Sequence, residues 1–166
     1  MSKTRNARNQ PKNGLPNIFV KVSGDEYSNP KFLTWLQRLT KKGWVVICIG
    51  GGTQISAAFD AKGYKTTFGP LGRETKTFGE RQTARNVLEE NQAALQNALF
   101  RKGIRVAVEL PVVYVGTVLC HVNGDLMVRL AYLGFNKLYV VTTPERRARK
   151  ATEFADLPKV KVVAFG

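Results

Sequence analysis

The stretch WVVICIGGG, residues 44–52, decides the fold class. Its first six residues are apolar with no alternation, which is typical of a parallel strand covered on both faces. Three glycines follow at once and lead into a segment from about Thr53 to Lys62 with helical periodicity. A buried strand that passes through glycines into a helix indicates a βαβ unit, so the sequence predicts an α/β protein.

Strand and helix patterns alternate along the rest of the chain. The first predicted strand is Ile18–Val22, and Asn29 caps a helix that begins at Pro30. Further strands are predicted at 64–68, 104–110, 138–142 and 160–165, further helices at 77–102, 123–133 and 144–154, and an irregular apolar stretch, compatible with a hairpin, at 111–122. The whole predicts a three-layer αβα domain with a mainly parallel sheet.

The domain organisation is simple. Residues 1–16 are a predicted flexible basic tail, and residues 17–166 are one domain with no repeat or linker. No apolar run is long enough for a membrane span, and no apolar stretch follows the N-terminal charges, so a cytoplasmic protein is expected. Cys48 and Cys120 lie in apolar runs without metal spacing and are expected to be buried thiols in a reducing compartment.

The chain is strongly basic, with a formal net charge of +14. Four of its 26 basic residues and none of its 12 acidic residues lie in residues 1–14. Such a charge attracts nucleic acids and nucleotides without regard to sequence, which makes the tail a candidate contact for RNA. A generally basic, solvated surface is the alternative, and both interpretations stay open.

Two strand ends have the composition of an anion site. Gly50, Gly51 and Gly52 precede a helix whose N-terminal N–H groups attract anions, although a tight turn with close helix packing explains the glycines equally well. No GK[ST] or GxGxxG pattern is present, which argues against a Walker loop and a dinucleotide site. Lys21 stands at the end of the first strand beside Gly24, where a parallel sheet binds ligands; the alternative is a lysine that reaches outward from an edge strand.

Two later segments carry weaker signals. Arg73 precedes the long helix and is suited to a carboxylate or phosphate, or is one more surface arginine. Residues 121–125 read HVNGD at a helix start, where Asn123 or Asp125 would serve as a cap. His121 is the only histidine, and no cysteine–histidine–acid set surrounds it. A nucleophilic hydrolase and a zinc site are therefore set aside, and no metal ligands are predicted.

Taken in order, these segments resemble the amino acid kinase superfamily, which includes acetylglutamate, carbamate and uridylate kinases. The resemblance rests on KVSGD (21–25), VVICIGGG (45–52), GRETKTFGERQTARNVLEE (72–90), ALQNALFRKGI (94–104) and HVNGDLMVRLAYLGFNKLYVVT (121–142). It covers roughly residues 17–143. His121 and Gly124 depart from the family's N-x-N-A-D pattern. The sequence resembles the N-terminal, substrate-binding half of the family, and a C-terminal nucleotide-binding half is not expected in it.

The resemblance implies two catalytic residues: Lys21 contacts the transferred phosphoryl group, and Asp125 orients the catalytic lysines. The expected substrate- and phosphate-binding residues are Gly24, Gly50, Gly51, Gly52, Arg73, Gly116, Thr117 and Asn123. The implied function is transfer of a phosphoryl group from ATP, with Mg²⁺, to a small carboxylate or phosphate. A homodimer is also implied.

Three functions stay open. The first is an active phosphotransferase whose reduced nucleotide site is completed by another subunit or by the basic residues Arg146, Arg147, Arg149 and Lys150, which alternatively form a solvated helix face. The second is an inactive, kinase-derived module that binds an anion or nucleotide. The third is a basic RNA-binding protein that uses its tail as an arm.

Overall fold

The computed structural model describes residues 14–166. Its elements in chain order are β1 (Asn17–Val22), α1 (Pro30–Leu39), β2 (Trp44–Ile49), α2 (Gly52–Ala61), β3 (Thr67–Gly69), β4 (Gly72–Glu74), α3 (Phe78–Arg101), β5 (Ala107–Glu109), β6 (Val112–Val115), β7 (Val118–His121), α4 (Gly124–Ala131), β8 (Lys137–Thr142), α5 (Pro144–Glu153) and β9 (Val160–Ala164).

The main sheet has five parallel strands in the order β5-β2-β1-β8-β9. The central strand, β1, pairs with β2 on one side and β8 on the other, so that Val20 lies between Ile47 and Tyr139. Every strand of this sheet is joined to the next by a segment containing a helix. The predicted α/β class with a mainly parallel sheet is confirmed.

Helices cover both faces of the sheet. Ile18, Val20 and Val22 of β1 share a core with the apolar side chains of α1 and α3, whereas Phe19 packs on the opposite face. That opposite face contains Val128 of α4 and lies beside α5. Because successive side chains of a strand point to opposite faces, the apolar run in β1 is buried on both sides. The three-layer αβα arrangement follows.

The predicted helix starts are confirmed by their caps. The Asn29 side chain accepts a hydrogen bond of 2.9 Å from the backbone N–H of Lys31, and Pro30 opens α1. At α3, Thr77 accepts from the N–H of Glu80, while the Glu80 carboxylate accepts from the N–H of Thr77. These contacts satisfy N–H groups that have no partner inside the helix.

Two strand predictions need correction. The strand expected at 104–110 is reduced to Ala107–Glu109, because Ile104 still belongs to the turn that closes α3 and Pro111 has no N–H to donate. The strand expected at 64–68 begins only at Thr67 and pairs with β4 in a separate antiparallel hairpin. The stretch 111–122 is likewise a hairpin, β6–β7, outside the main sheet.

The two cysteines differ in environment. Cys48 is fully buried in β2, and burial, partly opposed by Lys21, raises the pKa of its thiol to about 12. Cys120 lies on β7, in the small hairpin outside the main sheet, and is only partly buried, so the expectation of two buried thiols was wrong for Cys120. The predicted tail lies almost entirely outside the described residues. Within residues 14–166, no helix has the length and apolar character needed to cross a membrane.

Candidate anion-binding cleft

The sheet topology creates a crevice at the end of β1. The chain passes from β1 to β2 and β5 on one side, while β8 and β9 lie on the other. In such sheets, neighbouring connections diverge and leave an opening beyond the carboxyl ends of the strands. A cleft of about 280 Å³ lies there, lined by residues from β1, the glycine segment, both hairpins and α5. We call it the basic cleft.

Lys21 projects into the basic cleft from the centre of the sheet. It lies between the buried residues Val20 and Val22, and its side chain is 12% exposed. Because β1 is the central strand, Lys21 has no sheet edge from which to reach outward, as the alternative interpretation required. Its Nζ lies 3.4 Å from Oδ1 of Asp125, so the ammonium group is held by one carboxylate at the cleft.

Asp125 lies between two lysines. It occupies the first turn of α4, and its Oδ2 accepts a hydrogen bond of 2.6 Å from Nζ of Lys150 in α5. Lys150 also donates to Glu153 at 2.5 Å. Burial alone would raise the pKa of Asp125, but Lys21 and Lys150 outweigh burial and hold it below its usual value. Burial likewise opposes the charge on Lys150, yet its two carboxylate partners raise its pKa.

The lining of the basic cleft is positively charged. Five cationic side chains line it, and no aspartate or glutamate is among the lining residues in the described chain. The cations are Lys21, Arg73, Arg146, Arg149 and Lys150. Their acidic partners contact them from outside the lining: Asp25, for example, accepts from Arg146 at 3.1 Å. The cleft therefore presents donors and positive charge to an incoming ligand.

The three glycines bring the backbone to the cleft. A Cβ on Gly50 would lie 3.2 Å from the carbonyl oxygen of Val22, and one on Gly51 would lie 3.1 Å from the Asn91 side chain, whereas one on Gly52 would meet nothing within 4 Å. None of the three has a positive φ, so close packing, and not a left-handed backbone, explains Gly50 and Gly51. Gly52 opens toward free space at the cleft.

The N-terminus of α2 is available to an anion. Its N-cap residue is Gly51, which has no side chain to cap the first turn. N–H groups in the first turn of a helix have no partner within the helix and carry its positive dipole end. Gly51, Gly52 and Thr53 all line the basic cleft. The loop after β1 fixes this end, because the Asp25 carboxylate accepts from Thr53 at 3.0 Å and from Gln54 at 3.2 Å.

Gly24 is required by close packing. A Cβ there would lie 2.3 Å from Oε1 of Gln54 and 2.8 Å from the carbonyl oxygen of Gly50. Gly24 also lines the cleft. The loop that follows β1 and the start of α2 therefore contact each other directly, and Lys21 lies beside them.

Arg73 reaches the basic cleft from the β3–β4 hairpin. It donates to Thr66 at 3.1 Å and, through the other terminal nitrogen, to Gly52 and Ser56 at 2.9 Å each. Its guanidinium lies 4.9 Å from the ring centre of Phe68. Burial lowers the pKa of Arg73, slightly opposed by Asp60. Since arginine has five N–H donors, the group anchors the hairpin on α2 and keeps donors for a ligand.

His121 lines the cleft with no hydrogen-bond partner for either ring nitrogen among the described residues, although both nitrogens are buried. Burial first, and then Arg85 and Arg81, lower the pKa of the imidazole. His121 is therefore neutral at pH 7 and offers one donor and one acceptor. From the sequence, this histidine was set aside as a hydrolase or zinc residue and was given no place in the site.

The structure brings most of the predicted site residues together. Those that line the basic cleft are Lys21, Gly24, Gly50, Gly51, Gly52, Arg73 and Asn123. Asp125 does not line it but contacts two lysines that do. Gly116 and Thr117 do not line the cleft, because they form the exposed turn between β6 and β7. Gly116 has φ +62°, so the tight turn, and not a ligand, accounts for the glycine. Their expected place in the site is corrected.

The helix α5 contributes more than the sequence indicated. Arg146, Arg149 and Lys150 line the cleft, whereas Arg147 is exposed and does not. Residues three and four apart share a helix face, so the spacing of 146, 149 and 150 was the signal that could have separated them from Arg147. Within residues 14–166, no group of three or more histidine, cysteine or acidic side chains is placed to hold a metal ion.

Comparisons with known proteins give a fold and no family. No family model matches the chain, and no curated protein matches it. Among solved structures, N-acetylglutamate synthase from Neisseria gonorrhoeae, in complex with coenzyme A and N-acetylglutamate, aligns with a TM-score of 0.53 and 14% identity. The alignment covers 85% of this chain and 47% of that one, so this chain spans about half the length of its structural neighbour. The chain is similar in fold to part of that enzyme.

Proposed function

We propose that this chain is a phosphotransferase domain of the amino acid kinase type that binds a small carboxylate or phosphate and transfers to it the terminal phosphoryl group of ATP, releasing ADP. The observation that carries the proposal is the pair of ammonium groups, Lys21 and Lys150, held by Asp125 at a cleft lined by five cations. The structural neighbour, which binds N-acetylglutamate, supports a small acid as ligand.

Phosphoryl transfer needs positioning and charge stabilisation more than covalent chemistry by the protein. Lys21 and Lys150 would stabilise the charge on the transferred group. The N–H groups at Gly51, Gly52 and Thr53 would bind its oxygens. Asp125 would hold both ammonium groups in place and would not itself touch the ligand. Because α5 supplies Lys150, the site would include a residue from the segment after β8.

The proposed Mg²⁺ would arrive with the nucleotide. Magnesium in such enzymes is held by one or two carboxylates together with substrate phosphates. The described residues form no acidic cluster for a resident ion. The chemistry that Mg²⁺ supplies when bound is neutralisation of phosphate charge. The cations of the cleft would add to that neutralisation from the side of the protein.

Turnover with a panel of small acids and phosphates tests the proposal. Release of ADP by the full chain should depend on one of these acceptors. Lys21→Ala, Lys150→Ala and Asp125→Asn should each reduce it by about 100-fold or more, the size typical of lost electrostatic stabilisation. Lys161→Ala is the matched control, because Lys161 is exposed on β9 and does not line the cleft. Equal turnover in all four variants would sink the proposal.

Gly52→Ala tests the position of the ligand without disturbing the fold. A methyl group there meets nothing within 4 Å, so folding should tolerate it. It would occupy the space in front of the α2 N-terminus and should weaken phosphate binding at least tenfold in calorimetry. Gly134→Ala is the control, since Gly134 is equally open and does not line the cleft. Unchanged affinity in Gly52→Ala would place the anion elsewhere.

A binding module without catalysis is the second candidate. The neighbour spans about twice the length that this chain covers, which leaves room in such proteins for machinery outside the shared fold. Saturable binding of a small anion, with no ADP release under any acceptor, would assign the chain to this class.

A further inference from the structure

The basic cleft has a second, apolar side. Its lining includes six apolar residues in addition to the cations, namely Ile55, Phe68, Ala84, Leu88, Pro111 and Val122. Four of these are buried in the fold, while Phe68 is 68% exposed at the rim. We call these six residues the apolar wall. Inorganic phosphate or a heavily hydroxylated ligand has no apolar surface that could pack against these six residues.

The apolar wall and the cations come from different parts of the sheet. Ile55 belongs to α2, and Ala84 and Leu88 belong to α3. α3 packs on the β2–β5 side of the sheet, and α2 packs against α3. Arg146, Arg149 and Lys150 belong to α5, which packs on β8 and β9 at the other side. The strand order therefore separates the two surfaces, with Lys21 on the central strand between them.

The apolar wall is uncharged over its whole extent. Arg73 contacts its edge, with the guanidinium 4.9 Å from the ring centre of Phe68, and donates three hydrogen bonds to Thr66, Gly52 and Ser56. His121 lies next to Val122 and is neutral, for the reasons given above. A second anionic group on this side would lose its water and would meet one cation, Arg73, whereas an apolar group there would need no charge partner.

We infer that the ligand of the basic cleft is a small anion with a compact apolar body, whose head group lies on the lysines and whose body lies on the apolar wall. This inference rests on the proposed function, which gives the ligand its anionic head group, and adds that the rest of the ligand is apolar. Burial of apolar surface is favourable in proportion to the area removed from water. The wall therefore selects such ligands over purely hydrophilic anions.

A homologous series of ligands tests the inference with the full chain. Calorimetry would compare inorganic phosphate with methyl, propyl and pentyl phosphate, and acetate with butyrate and hexanoate. Each added methylene should improve the affinity by about fourfold until the wall is covered, the fold-change that corresponds to ~0.8 kcal/mol. The heat capacity change of binding should grow more negative along the same series, as apolar burial requires. Comparison of the phosphate series with the carboxylate series shows which of the two head groups the site binds.

Val122→Thr changes the wall at nearly constant shape. It should reduce the ratio between the affinities for pentyl phosphate and inorganic phosphate, or for hexanoate and acetate if the carboxylate arm is the one that binds. Val115→Thr is the matched control, since Val115 lies in the same hairpin, is 64% exposed and does not line the cleft. It should leave both affinities unchanged.

The possible results separate the two proposals. A head group that binds with no gain along either series would overturn the apolar-body inference and leave the anion site standing. No binding by any member of either series would overturn both. A gain along one series that Val122→Thr reduces and Val115→Thr does not would establish the wall as a determinant of specificity.

Discussion

At the scale of single residues, Asp125 is the charge on which the site depends. It compensates two ammonium groups whose side chains are each 12% exposed. Asp125→Asn leaves Lys21 and Lys150 to repel each other with only Glu153 as a partner. We expect the free energy of unfolding at pH 7 to fall by about 1–3 kcal/mol, the cost of leaving a mostly buried polar group without its partner. Urea denaturation measures this.

The pH dependence follows from the directions of the pKa shifts. The folded-state pKa of Asp125 is lowered, so its stabilisation is complete above about pH 4 and is lost as the pH falls through the lowered value. That of Lys150 is raised, so its share is complete below about pH 10 and is lost as the pH rises through the raised value. The difference between wild type and Asp125→Asn should be flat near neutrality and shrink in acid. Asp156→Asn, an exposed acid paired with Arg129, should show little effect.

His121 is predicted to lower the free energy of unfolding of the free protein while offering a donor and an acceptor to a ligand in the basic cleft. Its two ring nitrogens are buried without partners among the described residues, which costs folding free energy. His121→Leu should therefore raise the free energy of unfolding by about 1 kcal/mol at pH 7. Because the folded-state pKa of His121 is lowered, the wild type should also lose stability as the pH falls below about 6.5, and the variant should lack that loss. A less stable variant would mean that the nitrogens have partners, such as ordered water.

Candidate site residues could be recognised from the sequence where a residue type is unusual for its position in a strand or loop. Lys21 interrupts an apolar strand, and the glycines follow a strand directly, so both were visible as candidates. Lys150 was named only as one of four basic residues of one helix and was not singled out, because a basic helix face is ordinarily solvated and only the structure shows the Asp125 carboxylate beside it. The prediction that Gly116 belongs to the site was wrong, because a glycine in a tight hairpin turn looks the same in sequence as one that faces a ligand.

At the scale of elements, the β3–β4 hairpin positions part of the site through one glycine. Gly72 has φ +114°, and a Cβ there would lie 2.6 Å from Cβ of Asn123. Gly72→Ala should lower the free energy of unfolding by about 2 kcal/mol or more, because backbone strain and a clash add together. It should also weaken phosphate binding in calorimetry, since Asn123 and the neighbouring Arg73 would move.

Gly116→Ala is the matched comparison. Gly116 also has a positive φ, +62°, but a Cβ there meets nothing within 4 Å. Only the left-handed backbone is then penalised, by about 1 kcal/mol. The affinity for phosphate should not change. Equal losses of affinity in the two variants would mean that the effect is general destabilisation and not displacement of site residues.

Elements with strong periodicity or clear caps were predictable. The helices α1 and α3 could be predicted, since Asn29 and Thr77 mark their starts and their apolar residues repeat at helical spacing. The weak elements were those that depend on partners far away in sequence. β5 is cut to three residues by what flanks it, and the partner of β3 is a strand that residue composition does not reveal. Strand order, and with it the position of the cleft, is a tertiary property.

At the scale of the whole molecule, the positive charge exceeds what the cleft needs. Five cations line the cleft, whereas the formal net charge is +14. Four basic residues precede the described part of the chain, namely Lys3, Arg5, Arg8 and Lys12. The third function, RNA binding, rests on this surplus and makes a prediction that differs from the other two.

If the N-terminal cations contact RNA, the logarithm of the affinity for single-stranded poly(U) should fall linearly with the logarithm of the salt concentration. Deletion of residues 1–13 removes four cations and should make that slope shallower by up to about 3, at roughly 0.7 per phosphate contact. Binding of a small anion in the cleft should be unaffected by the deletion, because Lys21 and Lys150 remain. Fluorescence anisotropy at several salt concentrations measures the slope. An unchanged slope would rule out the tail as the RNA contact, whereas a shallower slope with intact anion binding would mean that the cleft and the tail serve separate ligands.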